Sequence, residues 1–321
     1  WVSDCCYWHL SGNHRDMINT NRPRWPGPAS RPTTLAGMQK RMQHFRSDES
    51  ERRADETLVR ATDVFIATYP KCGTTLLQQM LHTLRTRGDM SFDEITEVVP
   101  WFESAWDIGI DPGAEQVASP RVFKTHRPVD KLPDVGRFIH ITRDPLSLAD
   151  SFYRFFSGWA FEAGSISIDE FAQKMILGGT GSGLYWHHVL TWWPRRQDKN
   201  VLFLCYEDFL DDPTAIIARV AKHAGITLDP ELAEMTLQHT SLDFMRTHAR
   251  KFDDHLLREH LDPILGLPPG GKTYKVAPAG VQRRKLSTSV RDLFNQRWQE
   301  TIGQTLNLRD YDELRRAAMY D

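Results

Sequence analysis

The chain has almost no net charge and few cysteines for its length. Its 40 Lys and Arg against 42 Asp and Glu give a formal charge of −2. That balance gives no global argument for nucleic acid or an anionic membrane as partner, and only a local basic pocket stays open. Four cysteines in 321 residues make no disulfide framework. Cys5, Cys6, Cys72 and Cys205 include no C-x-x-C pair of the kind that binds zinc or cycles between thiol and disulfide. A reducing compartment, and with it a cytoplasmic location, is the simpler expectation. No apolar run approaches the ~20 residues that span a bilayer. Asp4, His9 and His14 stand where a secretory leader needs an apolar stretch, although a start at Trp1 rather than Met leaves a lost leader open. Internal repeats, low-complexity tracts and metal-ligand spacings are all absent.

What is present is the composition of a packed globule, 40% apolar with ten Trp, eight Tyr and sixteen Phe. Residues 1–57 read as an extension. Prolines at 23, 26 and 28 block regular structure, and the charged stretch Met38–Arg53 carries at most one amphipathic helix. From Asp63 the texture changes. Val64–Tyr69 is a short β-rich run, followed by a Pro/Gly turn and then Leu76, Leu77, Met80, Leu81 and Leu84 at helical spacing. Further strands are expected at Arg121–Thr125, Arg137–Thr142 and Val201–Tyr206, and helices at Pro145–Phe156 and Pro213–His223, the last after an Asp211-Asp212-Pro213 start signal. Short strands alternating with longer helical patterns predict one α/β domain over 58–321, a P-loop-like parallel β-sheet flanked by helices on both faces.

Between the first strand and its helix lies Tyr69-Pro-Lys-Cys-Gly-Thr-Thr75. Free N–H groups at a helix start, the helix dipole and the Lys71 cation would converge there on an anion, with Thr74 and Thr75 hydroxyls adding donors. Gly73 would let the backbone approach without a Cβ. A Walker A loop needs its lysine after a second glycine, and here Lys71 precedes the single one. An ordinary strand-to-helix turn would carry the same seven residues.

At this point the residues resemble a known family. Thr68–Thr75 looks like the T-Y-P-K-S-G-T-T-W loop of the cytosolic sulfotransferases, with Cys72 for Ser and Leu76 for the Trp that lies near the adenine in that family. The resemblance continues in register. Arg121–Pro133 is similar to the K-T-H-x-P segment whose His is the family's catalytic base, which implies that role for His126, with Lys124 adding charge at the leaving phosphate. A neutral imidazole is the group needed to take the proton of an attacking hydroxyl. Arg143-Asp-Pro-Leu-Ser147 through Ser151 resembles the 3′-phosphate signature, Ser147 standing for the usual Asp, and implies that Arg143 and Ser151 hold that phosphate. The planar fork of Arg suits a terminal phosphate. Val201–Asp208 is similar to an L-x-x-x-Y-E-D strand, which makes Tyr206 an adenosine contact, and Thr240-Ser241 falls at further donor contacts, with Leu242 for Phe. Glu207 and Asp208 read as capping or ion-paired, and the aromatics of Tyr185–Trp193 as core.

The last donor element of the family, R-K-G-x-x-G-x-W-K, is eroded. Aligned on Lys285, it places Ala277, Pro278 and Ala279 at the Arg-Lys-Gly positions, while Lys272, Lys275, Arg283, Arg284 and Lys285 crowd the same stretch as shifted substitutes or as a solvated basic loop. The dimer motif reduces to Lys285, Ser289, Val290 and Phe294, which leaves a homodimer open. The resemblance therefore implies transfer of a sulfuryl group from 3′-phosphoadenosine 5′-phosphosulfate (PAPS) to a hydroxyl or amine of a small acceptor. The product would be 3′,5′-adenosine bisphosphate (PAP), and no metal is needed. His126, Lys71 and Lys124 are the catalytic set; Lys71, Cys72, Gly73, Thr74, Thr75, Leu76, Arg143, Ser151, Tyr206, Thr240, Lys275, Arg283 and Arg284 are the donor contacts. Trp101, Phe102, Trp106, Phe155 and Trp159 are acceptor-pocket candidates that sequence does not distinguish from core. The rivals are a nucleotide-binding module without catalysis and a P-loop phosphotransferase.

Overall fold

The computed structural model of the chain describes residues 22–178, 184–277 and 284–319. Its frame is a four-stranded sheet: β1 (Val64–Thr68), β2 (Val122–Thr125), β3 (Arg137–Thr142) and β4 (Val201–Cys205). The order is β2-β1-β3-β4 with every pairing parallel, Val64 opposite both Val122 and Arg137, and Phe138 opposite Val201. All five residues of β1 are buried, as an apolar run without alternation requires when both faces are covered. A side chain such as Ile66, fully withdrawn from water, contributes about 1.5–3 kcal/mol.

Period-two alternation assigns the faces. Phe65 stacks between Phe123 (5.3 Å) and Phe138 (5.6 Å), and His140 lies on Trp192 (5.1 Å) of the Tyr185–Trp192 helix. On the opposite face Arg137 reaches the His223 carbonyl at the end of the Pro213–Ala224 helix (3.1 Å), and Ile141 abuts Gly73 at the head of the Thr74–Thr86 helix. The expected strands and helices are found, within a residue or so at each end. Asp-Pro pairs start the helices at Pro145, Pro213 and Pro230, with Asp144, Asp212 and Asp229 each accepting a backbone N–H three residues on.

The stretch expected to hold at most one helix forms two, Leu35–Met42 and Asp48–Glu56. Residues 43–47 separate them; Ser47 caps the second through the Ser50 N–H (3.1 Å), and Asp48, Glu49 and Glu51 suit the positive end of its dipole. Residues 22–57 share the core of the sheet: Leu35, Met38 and Ala54 are buried in it. Trp25 and Ser30 donate to the Pro263 and Gly266 carbonyls at 3.1 and 3.0 Å. Among the described residues no helix is long and apolar enough to cross a membrane.

Candidate active site

Strand order reverses between β1 and β3, and the segments leaving these two strands carry the candidate phosphate-binding residues Lys71 and Arg143, where open α/β sheets place their ligands. The loop after β1 is bent by two left-handed residues, Lys71 (φ 72°) and Gly73 (φ 108°). Gly73 is the N-cap of the Thr74–Thr86 helix, and no side chain caps it, so the N–H groups of the first turn stay available to an anion. A Cβ on Gly73 would lie 2.8 Å from the Tyr206 ring, so the glycine is needed for close packing as well as for its backbone angle.

Arg143, leaving β3, donates to the Lys71 carbonyl (3.2 Å) and lies over the Tyr206 ring (4.3 Å). Its Nε is buried with no hydrogen-bond partner among the described residues. Loop, Arg143 and Tyr206 thus form one unit. Ser151 is half-buried two turns along the Pro145–Phe156 helix, between Asp150 and Arg154, which pair at 2.9 Å. Arg284 approaches the same helix, its N–H on Asp150 (3.1 Å) and its guanidinium at the Tyr153 hydroxyl (3.2 Å). Cys72 is fully buried and its thiol pushed up by burial, an inert packing residue. Thr74 exchanges a hydroxyl bond with Thr68 (2.6 Å), whereas Thr240 bonds within its own helix (2.7 Å). Leu76 packs on the core from a half-buried position, and Thr75 is also half-buried. Arg283, Pro278 and Ala279 lie outside the described residues.

His126 follows β2. Its Nδ1 is 2.8 Å from the Thr68 carbonyl, which can only accept, so Nδ1 carries the proton and Nε2 is left as the basic nitrogen. Its backbone N–H donates to Glu103 (2.9 Å), and its ring meets Trp101 edge-on at 5.0 Å. Burial holds the imidazole well below its usual value, with Glu103 opposing and Lys124 assisting, so it is neutral at pH 7. Burial pushes the Glu103 carboxyl up, but Arg46 and His126 outweigh this and keep it ionised.

Lys124 does lie near His126, both of them against Trp101 (Nζ 4.9 Å from the ring), and it belongs to a cluster that sequence reading missed. Asp254, buried and left-handed (φ 57°), pairs with Lys275 and stands 3.7 Å from Lys124. Burial pulls Lys124 down to about 8, Lys275 adding repulsion and Asp254 opposing it. Lys71 is lowered by burial and Lys275 in the same way, and its Nζ rests 4.5 Å from the Phe155 ring centre. Glu94, fully buried beside this group, is raised by burial and by Asp254. Three lysines with one firmly ionised carboxylate give a net positive centre. No spacing signals Asp254. Glu103 had a faint signal, a lone carboxylate directly after the apolar run Val98–Phe102.

Other expectations resolve simply. Glu207 accepts from the Tyr311 hydroxyl and from Asp144 N–H (3.3 Å), and Asp208 pairs with Arg315 (2.6 Å), so both are structural. Among the described residues no group of His, Cys, Asp and Glu could hold a metal. A cavity of about 270 Å³ lined by Arg85, Arg137 and Gly225 lies at the amino ends of the strands, away from this cluster.

Residues 61–262 match the family model of the sulfotransferase domain. The chain belongs to that family. Human sulfotransferase 2A1 is 31% identical over 210 residues, covering 63% of this chain and 73% of that protein. Rat sulfotransferase 1 family member D1 is 30% identical over 214 residues, covering 63% and 72%. In three dimensions this sulfotransferase chain resembles retinol dehydratase, solved with androsterone and the inactive cofactor PAP, at TM-score 0.62 and 20% identity over 86% of this chain and 98% of that one. It also resembles mouse sulfotransferase SULT7A1, solved with PAP, at TM-score 0.63 and 20% identity over 86% and 94%. At that identity these two establish the sulfotransferase fold.

Proposed function

We propose that the protein transfers a sulfuryl group from PAPS to a hydroxyl or amine of a small acceptor, with His126 as general base. The observation that carries the reading is the Thr68 carbonyl on His126 Nδ1: it fixes the tautomer of an imidazole that burial keeps neutral, leaving Nε2 as the basic nitrogen, anchored to the strand that ends in the phosphate loop. When bound, the donor supplies an activated sulfuryl group and a 5′-phosphate leaving group. The residues present suit it. The uncapped helix start and Lys71 fit the 5′ end, and the buried, unpartnered Nε of Arg143 fits the 3′-phosphate beside Ser151, with Tyr206 against the adenosine. Lys275, Arg154 and Arg284 are the cations that stand in for the eroded basic loop, the first through the lysine cluster and the others along the Pro145–Phe156 helix.

In the reaction His126 Nε2 takes the acceptor proton as the acceptor oxygen or nitrogen attacks sulfur in line. The imidazolium that forms is stabilised by Glu103, held against the His126 backbone. Lys71 and Lys124 stabilise charge growing on the leaving phosphate. Phe155 and Trp101, which touch Lys71 and His126 respectively, are the acceptor-facing aromatics. A cytoplasmic setting agrees with this reading. A homodimer through 285–294 has less support, since Val290 and Phe294 are buried in the chain's own core.

The test is transfer of labelled sulfate from PAPS to a panel of alcohols, phenols and amines. Wild type is expected to label at least one acceptor class, and His126→Ala to abolish transfer while binding PAP nearly as wild type does. Wild type that binds PAP and transfers nothing would leave the non-catalytic nucleotide-binding module instead.

A further inference from the structure

His126 is held on two sides. One anchor, Thr68, belongs to the phosphate-loop strand. The other leads out of the family-matching span, which begins at residue 61, into the turn between the two N-terminal helices. We propose that Arg46, in that turn, is a positioning residue for His126, acting through Glu103, Trp101 and the Glu51–Arg127 pair. The inference rests on the reading of His126 as the base.

Three paths run from this one guanidinium. First, Arg46 Nη2 lies 3.6 Å from Glu103 Oε1, the same oxygen that accepts the His126 backbone N–H at 2.9 Å. Glu103 is fully buried and Arg46 is the largest influence keeping it ionised against burial. Second, the Arg46 guanidinium lies over the Trp101 ring, 5.3 Å from its centre, and that indole also meets the His126 ring at 5.0 Å and the Lys124 ammonium at 4.9 Å. Third, Arg46 pairs with Glu51, whose other oxygen pairs with Arg127, the residue after His126; Arg127 is tied again to Asp55 at 2.7 Å. The turn is itself pinned to the 102–108 segment, Arg46 Nε to Ser104 (3.1 Å) and Ser47 to both oxygens of Asp107 (2.6 and 3.1 Å).

The arrangement suits a base that is neutral at rest and cationic in the transition state. Glu103 must be ionised to favour the imidazolium, yet a buried carboxylate left alone takes up a proton. Arg46 keeps it ionised without adding charge at the ring itself. Lys124 and His188 oppose protonation of His126, so Glu103 is the chief group favouring it. Substituting Arg46 removes the largest influence that opposes burial, so the Glu103 carboxyl moves up.

The decisive comparison is Arg46→Met, which keeps an unbranched stem and removes the charge, against Arg46→Lys, which restores a cation. For Arg46→Met the expected result is a kcat lower by roughly 10- to 100-fold, the scale of loss when a catalytic group is misplaced from a distance. PAP affinity and donor KM should stay near wild type, the acid limb of the kcat–pH profile should move to higher pH, and Arg46→Lys should recover part of both. A kcat within about twofold of wild type would overturn the inference. So would a loss matched by equal loss of PAP affinity and thermal midpoint with an unmoved pH limb, which is the signature of a mere strut. If Arg46→Met does not fold, Glu51→Gln, which cuts the third path at a partly exposed residue, should give a smaller loss in kcat at unchanged PAP affinity; no loss would overturn it equally. His126→Ala separates the two readings. If it retains transfer, both fall; if it abolishes transfer while Arg46→Met behaves as wild type, only the role of Arg46 falls.

Discussion

Replacing Gly73 by Ala tests the phosphate loop with one methyl group. Gly73 sits at φ 108°, ψ 13°, where an L residue carries a conformational penalty of about 1–2 kcal/mol. The new Cβ would also stand 2.8 Å from Tyr206 Cδ2 and 3.3 Å from Ile141 Cδ1. Tyr206 cannot simply withdraw, because the Arg143 guanidinium covers its ring at 4.3 Å and is itself bonded to the Lys71 carbonyl. Forced overpacking of this kind costs a further ~1–3 kcal/mol, for a total of about 2–5 kcal/mol. Gly164→Ala is the matched control: its φ of 84° is also left-handed, but nothing lies within 4 Å of the added Cβ, so only the conformational part applies. Urea unfolding should rank Gly73→Ala below Gly164→Ala by at least about 1 kcal/mol. Calorimetric titration with PAP should show affinity lower by about tenfold or more for Gly73→Ala, equivalent to about 1.4 kcal/mol, and unchanged for Gly164→Ala. Equal stabilities and equal PAP affinities for the two variants would refute the reasoning, because the contact with Tyr206 would then constrain neither loop nor ligand.

Arg143→Ala should weaken PAP binding far more than it changes acceptor KM, by about 1.5–3 kcal/mol for a charged hydrogen bond, and an unaltered PAP dissociation constant would refute its phosphate role. Donor binding should weaken as pH rises through about 8, where Lys124 loses its charge. Asp254→Asn removes the ion that opposes this loss amid Lys71, Lys275 and Glu94, so the alkaline limb should move to lower pH; an unmoved limb counts against the cluster. His188, buried and held at about 4, is neutral in the folded state while it charges near 6.5 when unfolded. Its contribution is therefore unfavourable only as pH falls from 6.5 to about 4, reaching about 3 kcal/mol, and His188→Phe should be relatively more stable than wild type at pH 4.5 than at pH 7 by denaturant midpoint. Asp63→Ala strands Arg121, both of them buried and paired at 2.5 Å, and should cost about 3–5 kcal/mol in unfolding free energy.

The strands and the phosphate loop were legible because their signals are local. Five buried residues in a row, a Pro-Lys-x-Gly turn and an Asp-Pro start each specify their own backbone. His126 and Arg143 were legible through the same register. What escaped the sequence is what depends on chain crossing. Asp254 becomes a counter-ion only because the segment before the His255–Leu265 helix returns beneath Lys124, and nothing in Phe252-Asp-Asp-His255 encodes that. Arg46 reads as one charge among many in a solvated stretch until packing puts it over Trp101. Lys275 was one of five interchangeable cations by sequence, and only the pairing with Asp254 singles it out.

The strand order also governs when the chain can begin to fold during synthesis. β1 is made early, yet its two hydrogen-bonding neighbours begin only at Val122 and Arg137, and the chain must be complete through Thr142 before β1 has a partner on each edge. Until then a strand that is apolar over Val64–Ala67 emerges from the ribosome with both edges bare, the situation in which nascent chains recruit chaperones or associate wrongly. Parallel pairing across such separations is slow because loop closure precedes any gain from contact. The phosphate loop takes its shape from Ile141, Arg143 and Tyr206, so it cannot set until β3 and β4 have both arrived. In this molecule the residues read most easily from the sequence are among the last to reach their working geometry.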